Sequence, residues 1–248
     1  FIAISHSGET EEVIDFCQTA IKRGFQTAVI SAGGKLLELA KENNLPYIYL
    51  PEEDIQPRMA LGYALRAVLK LIGEDDLFTD TSKLIDDLRP AEYEKQGREL
   101  SEKLFNKTPI IYASRANQIL AYNWKIKFNE TGKIPAFYNV FPELNHNEMQ
   151  GFDIRPNNQA LSSGAHFIFL EDDRAHPPIS ERMKITSDIY RDLGLPIEDI
   201  KINGKTKLET IFNTLVLGDW AAYYTAVKYG GEPESVSLIE KFKETLGA

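Results

Sequence analysis

Short apolar runs alternate with longer amphipathic runs along the first part of this chain of 248 residues. The apolar runs, with the length of strands, lie at 1–4, 27–30 and 47–50, and the amphipathic runs, with the period of helices, lie at 9–22, 35–42 and 58–72. Strands that are joined through helices pair in parallel, and a parallel sheet is covered by helices on both faces. The pattern therefore predicts an α/β fold with three layers, in which a mainly parallel sheet lies between two layers of helices.

A second alternation of the same kind predicts strands at 110–113, 136–140, 166–170 and 197–202, and helices at 118–129, 179–193, 208–229 and 234–246. Between the two alternations, an acidic stretch at 74–80 breaks the pattern, and 82–105 has the periodicity of one long charged helix. We therefore predict two domains: residues 1–80 as the C-terminal part of the first, 81–105 as a connecting helix, and 106–248 as the second. Because the chain begins inside a strand and without Met, we expect the N-terminal part of the first domain to be missing.

Composition restricts the partners of this chain. The net charge of −9 disfavours a nucleic-acid surface, and no apolar run approaches the roughly 20 residues that span a bilayer. No signal peptide is visible, and the single cysteine, Cys17, has no partner for an internal disulfide. We therefore expect a cytoplasmic protein with neither a membrane nor nucleic acid as its partner.

The first strand ends in Ser-His-Ser-Gly-Glu-Thr at 5–10, and a helix follows at once. The free N–H groups and the dipole of a helix N-terminus attract phosphate, a glycine lets the backbone approach, and Ser5, Ser7 and Thr10 add donors. The alternative is that Ser7 or Thr10 only caps the helix. Three hydroxyls around one glycine favour a phosphate site.

Four further residues could contribute chemistry. Glu130 lies at a helix C-terminus, where the dipole is unfavourable for a carboxylate and calls for compensation nearby; the alternative is a solvated helix end. His146 lies in a loop dense in Asn and Glu, where it could act as acid or base or only accept a hydrogen bond, and it lacks a second metal ligand at the usual spacing. Arg58 could hold an oxyanion, and Lys228 lies late in a long helix; each could also be a surface cation.

Taken together, five segments resemble one family. They are Ser-His-Ser-Gly-Glu-Thr at 5–10, Pro-Arg-Met-Ala-Leu-Gly at 57–62, Asn-Glu-Thr-Gly-Lys-Ile-Pro-Ala at 129–136, Pro-Glu-Leu-Asn-His-Asn-Glu at 142–148 with Gly151, and Gly-Gly-Glu-Pro at 230–233. The likeness is to the bifunctional phosphoglucose/phosphomannose isomerases, a branch of the phosphoglucose isomerase superfamily that is built from two sugar isomerase (SIS) domains. It covers nearly the whole chain, and the two segments around Glu130 and His146 are its most specific part.

The resemblance implies a role for each candidate residue. Ser5, Ser7 and Thr10 would bind the substrate phosphate, Glu130 would move a proton between C1 and C2, and Arg58 would steady the enediolate. His146, which relatives supply from the partner subunit, and Lys228 would assist ring opening. The resemblance also implies a homodimer with a shared active site and neither a metal nor another cofactor.

Two features depart from the family. Relatives usually carry a small hydroxyl residue on the last long helix, which is associated with accepting mannose substrates, whereas this chain has Ala221 and Ala222 nearby. The family's glycine- and serine-rich loop, which precedes the first motif, is not part of this sequence. The first feature bears on the range of substrates, and the second bears on how much of the family's first domain this sequence contains.

The sequence thus predicts a sugar-phosphate isomerase that interconverts glucose 6-phosphate, and mannose 6-phosphate, with fructose 6-phosphate. The reaction needs no metal if one base shuttles a proton through a cis-enediol. Two alternatives stay open: a phosphosugar sensor without catalysis, and an isomerase of aminosugar phosphates.

Overall fold

The computed structural model describes residues 1–51 and 55–246. The chain divides into two compact units, one of residues 1–86 and one that begins at residue 87. No helix within the described ranges is long and apolar enough to cross a bilayer.

The first unit is built on a parallel sheet of three strands. These are β1 (Ile2–Ile4), β2 (Ala28–Ser31) and β3 (Tyr47–Tyr49), in the order β1-β2-β3. Its helices are α1 (Glu11–Lys22), α2 (Gly34–Glu42), α3 (Leu61–Ile72) and α4 (Asp75–Asp87), of which the last residue belongs to the second unit. Val29 of β2 packs on residues of α1 and α2, whereas its neighbour Ile30 packs on residues of α3. The central strand is therefore apolar at successive positions because helices cover both of its faces.

The second unit contains a parallel sheet of four strands. These are β4 (Thr108–Ser114), β5 (Phe137–Phe141), β6 (Ala165–Glu171) and β7 (Ile197–Lys201), in the order β5-β4-β6-β7. Its helices are α5 (Glu94–Lys103), α6 (Gln118–Glu130), α7 (Leu144–Asn147), α8 (Gln159–Ser162), α9 (Pro177–Asp192), α10 (Lys207–Lys228) and α11 (Ser237–Leu246). Ile111 and Ala113 of β4 pack towards α5, α6 and α10, whereas Tyr112 between them packs towards α7 and α9. The expected three-layer α/β arrangement is confirmed.

Helix α10 packs unusually close to its neighbours because glycines lie at both contacts. A Cβ atom on Gly97 of α5 would lie 2.4 Å from Cβ of Trp220, and one on Gly218 would lie 2.9 Å from the indole nitrogen of Trp124. That indole N–H donates a hydrogen bond of 3.0 Å to the carbonyl of Thr214. The glycines, which lower intrinsic helix stability, are retained here for space.

The structure contradicts one helix assignment. The expected single helix over 82–105 is instead the end of α4, a 3-10 turn at Pro90–Tyr93, and α5. Pro90 has no N–H to donate and forces Arg89 out of the helical region, so the helix cannot continue through it. The acidic stretch at 74–80 does break the alternation of strands and helices, since α4 follows α3 directly, and Asp75 and Asp76 begin α4, where carboxylates suit the positive end of the dipole.

Candidate active site

The loop between β1 and α1 brings the predicted phosphate-binding hydroxyls together. The Ser5 hydroxyl is buried, lies 2.8 Å from the Thr10 hydroxyl, and accepts a hydrogen bond of 3.1 Å from the N–H of Gly8. Ser7 is exposed, and its hydroxyl accepts from the N–H of Glu9 at 3.2 Å. Thr10 is the N-cap of α1, but its side chain makes no hydrogen bond to the helix, so capping alone does not account for its hydroxyl.

The loop that follows β2 fixes the shape of the phosphate loop. Gly8 has a φ of 74°, and a Cβ atom there would lie 1.9 Å from the carbonyl oxygen of Gly33. Likewise, a Cβ atom on Gly34 would lie 2.6 Å from the carbonyl oxygen of Ser7. Only glycine fits at these contacts, because the two loops touch through their backbones.

Glu9 ties the same loop to the start of α2. One carboxylate oxygen accepts a hydrogen bond of 3.0 Å from the N–H of Lys35, and the other lies 3.3 Å from the Lys35 ammonium. The backbone N–H of Lys35 is the main cause that lowers the pKa of Glu9 below its usual value. Glu9 therefore occupies the N-terminus of α2, while the N-terminus of α1 faces the hydroxyl loop.

Arg58 lies in the 3-10 turn Pro57–Met59 at the entry to α3. It is half-buried, and its guanidinium donates a hydrogen bond of 3.3 Å to the side-chain oxygen of Gln56. Pro57 begins the turn, as proline often does where no N–H partner is available. The arginine is thus placed at the end of the connection that follows β3.

Glu130 is the last residue of α6, and the helix end around it is held by a lysine. The Lys133 ammonium donates to the backbone carbonyls of Glu130, Pro233 and Ser235. Such a cation satisfies carbonyls that the helix leaves without partners and offsets the negative end of the dipole. The expected compensation at this helix end is therefore present, and it also joins the end of α6 to the segment before α11.

His146 is an exposed residue of the short helix α7, which follows β5. Two residues later, the Glu148 carboxylate accepts hydrogen bonds from the Tyr112 hydroxyl and from the Asn139 amide. Glu148 lies within the motif at 142–148, but the sequence by itself indicates no role for it. One of its two donors, Tyr112, lies 36 residues away in sequence, and no local pattern indicates it.

Lys228 lies at the C-terminal end of α10. Its ammonium pairs with the Glu102 carboxylate and lies 5.0 Å from the centre of the Phe105 ring. Ala221 and Ala222 of the same helix are fully buried in the core that α10 forms with α5 and α6. The structure thus gives Lys228 a carboxylate partner within the second unit.

The structure therefore places the candidates in separate local settings. In the first unit, Ser5, Ser7 and Thr10 share one loop, and Ser5 and Thr10 are hydrogen bonded. In the second unit, Glu130, His146 and Lys228 lie on three different helices, α6, α7 and α10. Glu148 is the residue whose contacts the sequence did not predict.

Comparison with known proteins places these features in context. Residues 93–246 match the family model of the bacterial phospho-glucose isomerase C-terminal SIS domain. The chain is 34% identical over 259 residues to the bifunctional phosphoglucose/phosphomannose isomerase of Caldicellulosiruptor bescii, which covers 99% of this chain and 75% of that protein. It is 32% identical over 245 residues to the enzyme of the same name from Aquifex aeolicus, with 98% and 74% covered.

A solved structure has the same fold. The crystal structure of glucosamine-6-phosphate deaminase from Thermotoga maritima superposes with a TM-score of 0.67, covering 94% of this chain and 71% of that chain. The sequence identity is 16%, so this likeness concerns the fold alone.

Proposed function

This chain belongs to the family of the bifunctional phosphoglucose/phosphomannose isomerases, and on that premise we propose that it interconverts glucose 6-phosphate and mannose 6-phosphate with fructose 6-phosphate. The observation that carries the proposal is a likeness of 32% and 34% to two such enzymes over nearly the whole chain. The hydroxyl loop supports it independently, because it offers the donors that a sugar phosphate requires.

The phosphate of the substrate is bound by Ser5, Ser7 and Thr10. The hydroxyls of Ser5 and Thr10 are already hydrogen bonded to each other in the structure, so these two side chains need little further ordering when the anion binds. The backbone N–H groups at the start of α1 and its dipole add attraction for the dianion. Binding energy from this remote group can be used to orient the reacting carbons.

Glu130 is the base of the reaction. It takes the proton from C2 of the open-chain aldose, the C2–H bonding pair becomes the C1–C2 double bond, and the C1 oxygen becomes an enediolate oxygen. The carboxyl group then returns the proton to C1, while the C2 hydroxyl passes its own proton to the C1 oxygen and the C2–O bond becomes the carbonyl of the ketose. Arg58 steadies the enediolate, and a fixed cation of this kind stabilises developing charge by about 3 kcal/mol.

Ring opening precedes this step, and His146 assists it. The exposure of His146 on α7 supports the further proposal that it serves the site of a second subunit in a homodimer. Lys228 would be a second ring-opening group. Because its ammonium pairs with Glu102, this role requires that the ion pair opens during the reaction.

The domain division and location complete the proposal. We propose that residues 1–86 are part of one SIS domain and that a second begins at residue 87 and includes α5, because Leu100 of α5 packs in the core of that unit. A cytoplasmic location is supported by the single free cysteine. Ala221 and Ala222 are fully buried on α10, the helix on which relatives usually carry a hydroxyl, so these two residues bear on whether mannose 6-phosphate is a substrate beside glucose 6-phosphate.

A coupled assay of Glu130→Gln against the natural chain tests the proposal. We expect turnover of glucose 6-phosphate to fall by about a thousandfold or more, as for loss of a general base, while phosphosugar binding is retained. Glu42→Gln is the matched control, because Glu42 is also the last residue of a helix and is exposed. Binding by the natural chain without turnover would instead support the phosphosugar sensor, and turnover restricted to glucosamine 6-phosphate would support the aminosugar enzyme.

A further inference from the structure

The segment that carries His146 alternates between anchored and exposed residues. Leu144 is fully buried in the core beneath α9, and the Asn145 amide donates a hydrogen bond of 2.8 Å to the hydroxyl of Thr186. Glu143 and His146 are exposed. The backbone at His146 is thus anchored through the residues that precede it in the chain.

Glu148 supplies the last of these anchors. The Tyr112 hydroxyl donates to one of its carboxylate oxygens, and the Asn139 amide donates to the other. Tyr112 and Asn139 are direct partners in the register of β4 and β5, so both donors come from one rigid point of the sheet. The amide of Asn139 cannot turn away freely, because its oxygen accepts from the N–H of Val140 at 2.8 Å.

Burial fixes the direction of the bond between Tyr112 and Glu148. The Tyr112 side chain is fully buried, and its ring lies 5.4 Å from each of the rings of Phe167 and Phe169. Burial raises the pKa of Tyr112 far above its usual value, so the phenol keeps its proton and donates. The carboxylate of Glu148 therefore remains an acceptor with a donor on each oxygen.

The short helix depends on these anchors for its position. The N–H of His146 bonds to the carbonyl of Glu143 at 2.9 Å, and the N–H of Glu148 bonds to that of Leu144 at 3.1 Å. A single helical turn is not stable by itself, because nucleation costs more than one turn of hydrogen bonds returns. Where the turn lies is consequently decided by Leu144, Asn145 and Glu148.

We propose that Glu148 is a positioning residue that sets the place of His146 for ring opening. The inference rests on the proposed function, since it concerns the step in which His146 acts. Glu148 itself does not touch the sugar. It acts through the backbone of α7, because its carboxylate is hydrogen bonded to Tyr112 and Asn139, which lie opposite each other on β4 and β5.

The test compares a substrate that must open its ring with one that cannot close it. Fructose 6-phosphate is the first, and 5-deoxyfructose 6-phosphate, which lacks the hydroxyl needed for the ring, is the second. Glu148→Gln places an N–H opposite one of the two donors. We expect kcat for fructose 6-phosphate to fall by about tenfold to a hundredfold, as for misplaced catalytic groups, and kcat for the open-chain analogue to change by less than about twofold.

Two phenol variants provide the matched pair. Tyr112→Phe removes one donor to Glu148 and should lower kcat for fructose 6-phosphate by about threefold to tenfold in the same selective manner. Tyr138→Phe is the control, because Tyr138 precedes Asn139 on β5 but packs against the other core of the second unit, with Ile111 as its register partner on β4. It should leave both substrates unaffected.

The outcomes separate the inference from the function on which it rests. Equal loss on both substrates, or no loss in Glu148→Gln and Tyr112→Phe, overturns the positioning role. If Glu148→Gln does not fold, Tyr112→Phe decides the question. Failure of the proposed function would look different, because the natural chain would then convert neither substrate. His146→Ala should reproduce the selective pattern of Glu148→Gln with a larger loss.

Discussion

The loop that binds phosphate and the turn that carries His146 are built in different ways. In the first, the functional groups are neighbours in sequence, and Ser5, Gly8 and Thr10 bond to one another within six residues. In the second, His146 is placed by Leu144, Asn145 and Glu148, whose partners lie on β4, β5 and α9. A site of the first kind is encoded locally, whereas a site of the second kind depends on the whole unit.

Among changes to the packing of the two regions, the largest effect should come from disrupting the phosphate loop at Gly8. In Gly8→Ala, the new methyl group would lie 1.9 Å from the carbonyl oxygen of Gly33, and the φ of 74° disfavours any side chain. We expect KM for fructose 6-phosphate to rise by about a hundredfold or more, because the loop must open to relieve the contact.

A second glycine provides the control for Gly8. Gly24 has a φ of 72°, but a Cβ atom there meets nothing within 4 Å. Gly24→Ala should therefore destabilise the fold by about 1 kcal/mol through backbone strain and leave KM unchanged. Steady-state kinetics and urea unfolding of both variants measure these effects. Equal KM values for the two variants would show that the contact with Gly33 does not shape the loop.

The next effect concerns the long-range packing of the second unit. Gly97→Ala would place a methyl group 2.4 Å from Cβ of Trp220, so α5 and α10 must separate. We expect the free energy of unfolding to fall by about 2 kcal/mol or more, as in overpacked cores. Gly62 of α3 meets nothing within 4 Å of a Cβ atom, and Gly62→Ala should stabilise by about 0.5 to 1 kcal/mol. Destabilisation by both variants to the same extent would contradict this packing argument.

The sequence predicted the locally encoded features better than the others. The strands and the hydroxyl loop follow from short runs of apolar and polar residues. The break at Pro90 was missed because amphipathic periodicity continues across it, although proline itself gives the signal. The role of Glu148 was missed because its donor Tyr112 lies 36 residues away, and only the register of β4 and β5 brings the two together. The ion pair between Lys228 and Glu102 was not predicted for the same reason, because the two residues are 126 positions apart in sequence.

A smaller effect should distinguish two roles of Lys228, ring opening in catalysis and a structural ion pair with Glu102. If Lys228 opens the ring, Lys228→Met lowers kcat for glucose 6-phosphate by about tenfold or more, whereas Glu102→Gln, which frees the ammonium, does not lower it. If the ion pair is purely structural, the expected effect is on stability and not on kcat. Both variants would then lose similar, small amounts of stability, because Glu102 is 62% exposed, and kcat would stay unchanged. Measuring kcat and urea unfolding for both variants distinguishes these results.

The smallest effect is a pH dependence of stability that arises at His166. The ring is buried at the start of β6, with Glu198 at 3.8 Å and Lys103 and Lys107 nearby, and burial is the main cause that lowers its pKa. Above the ordinary pKa of 6.5, both the folded and the unfolded states hold a neutral ring, and no stability is lost. Below it, the unfolded state binds a proton that the folded state resists, so stability falls with pH until the folded pKa is passed.

His166→Asn isolates this contribution. Urea unfolding between pH 7 and pH 5 should show a smaller loss of stability for the variant than for the natural chain. The difference in slope is at most about 1.4 kcal/mol per pH unit, since one proton is involved. Parallel curves for the two proteins would mean that burial of His166 does not oppose its protonation.

Solvent exchange during turnover tests the central claim most directly. If Glu130 carries a proton between C2 and C1, glucose 6-phosphate that is converted in deuterium oxide should yield fructose 6-phosphate with partial deuterium at C1, because some of the carboxyl protons exchange with solvent before transfer to C1. NMR of the product measures this incorporation, and Glu130→Gln should abolish it together with turnover. Conversion without any deuterium at C1, or undiminished incorporation by Glu130→Gln, would contradict the account.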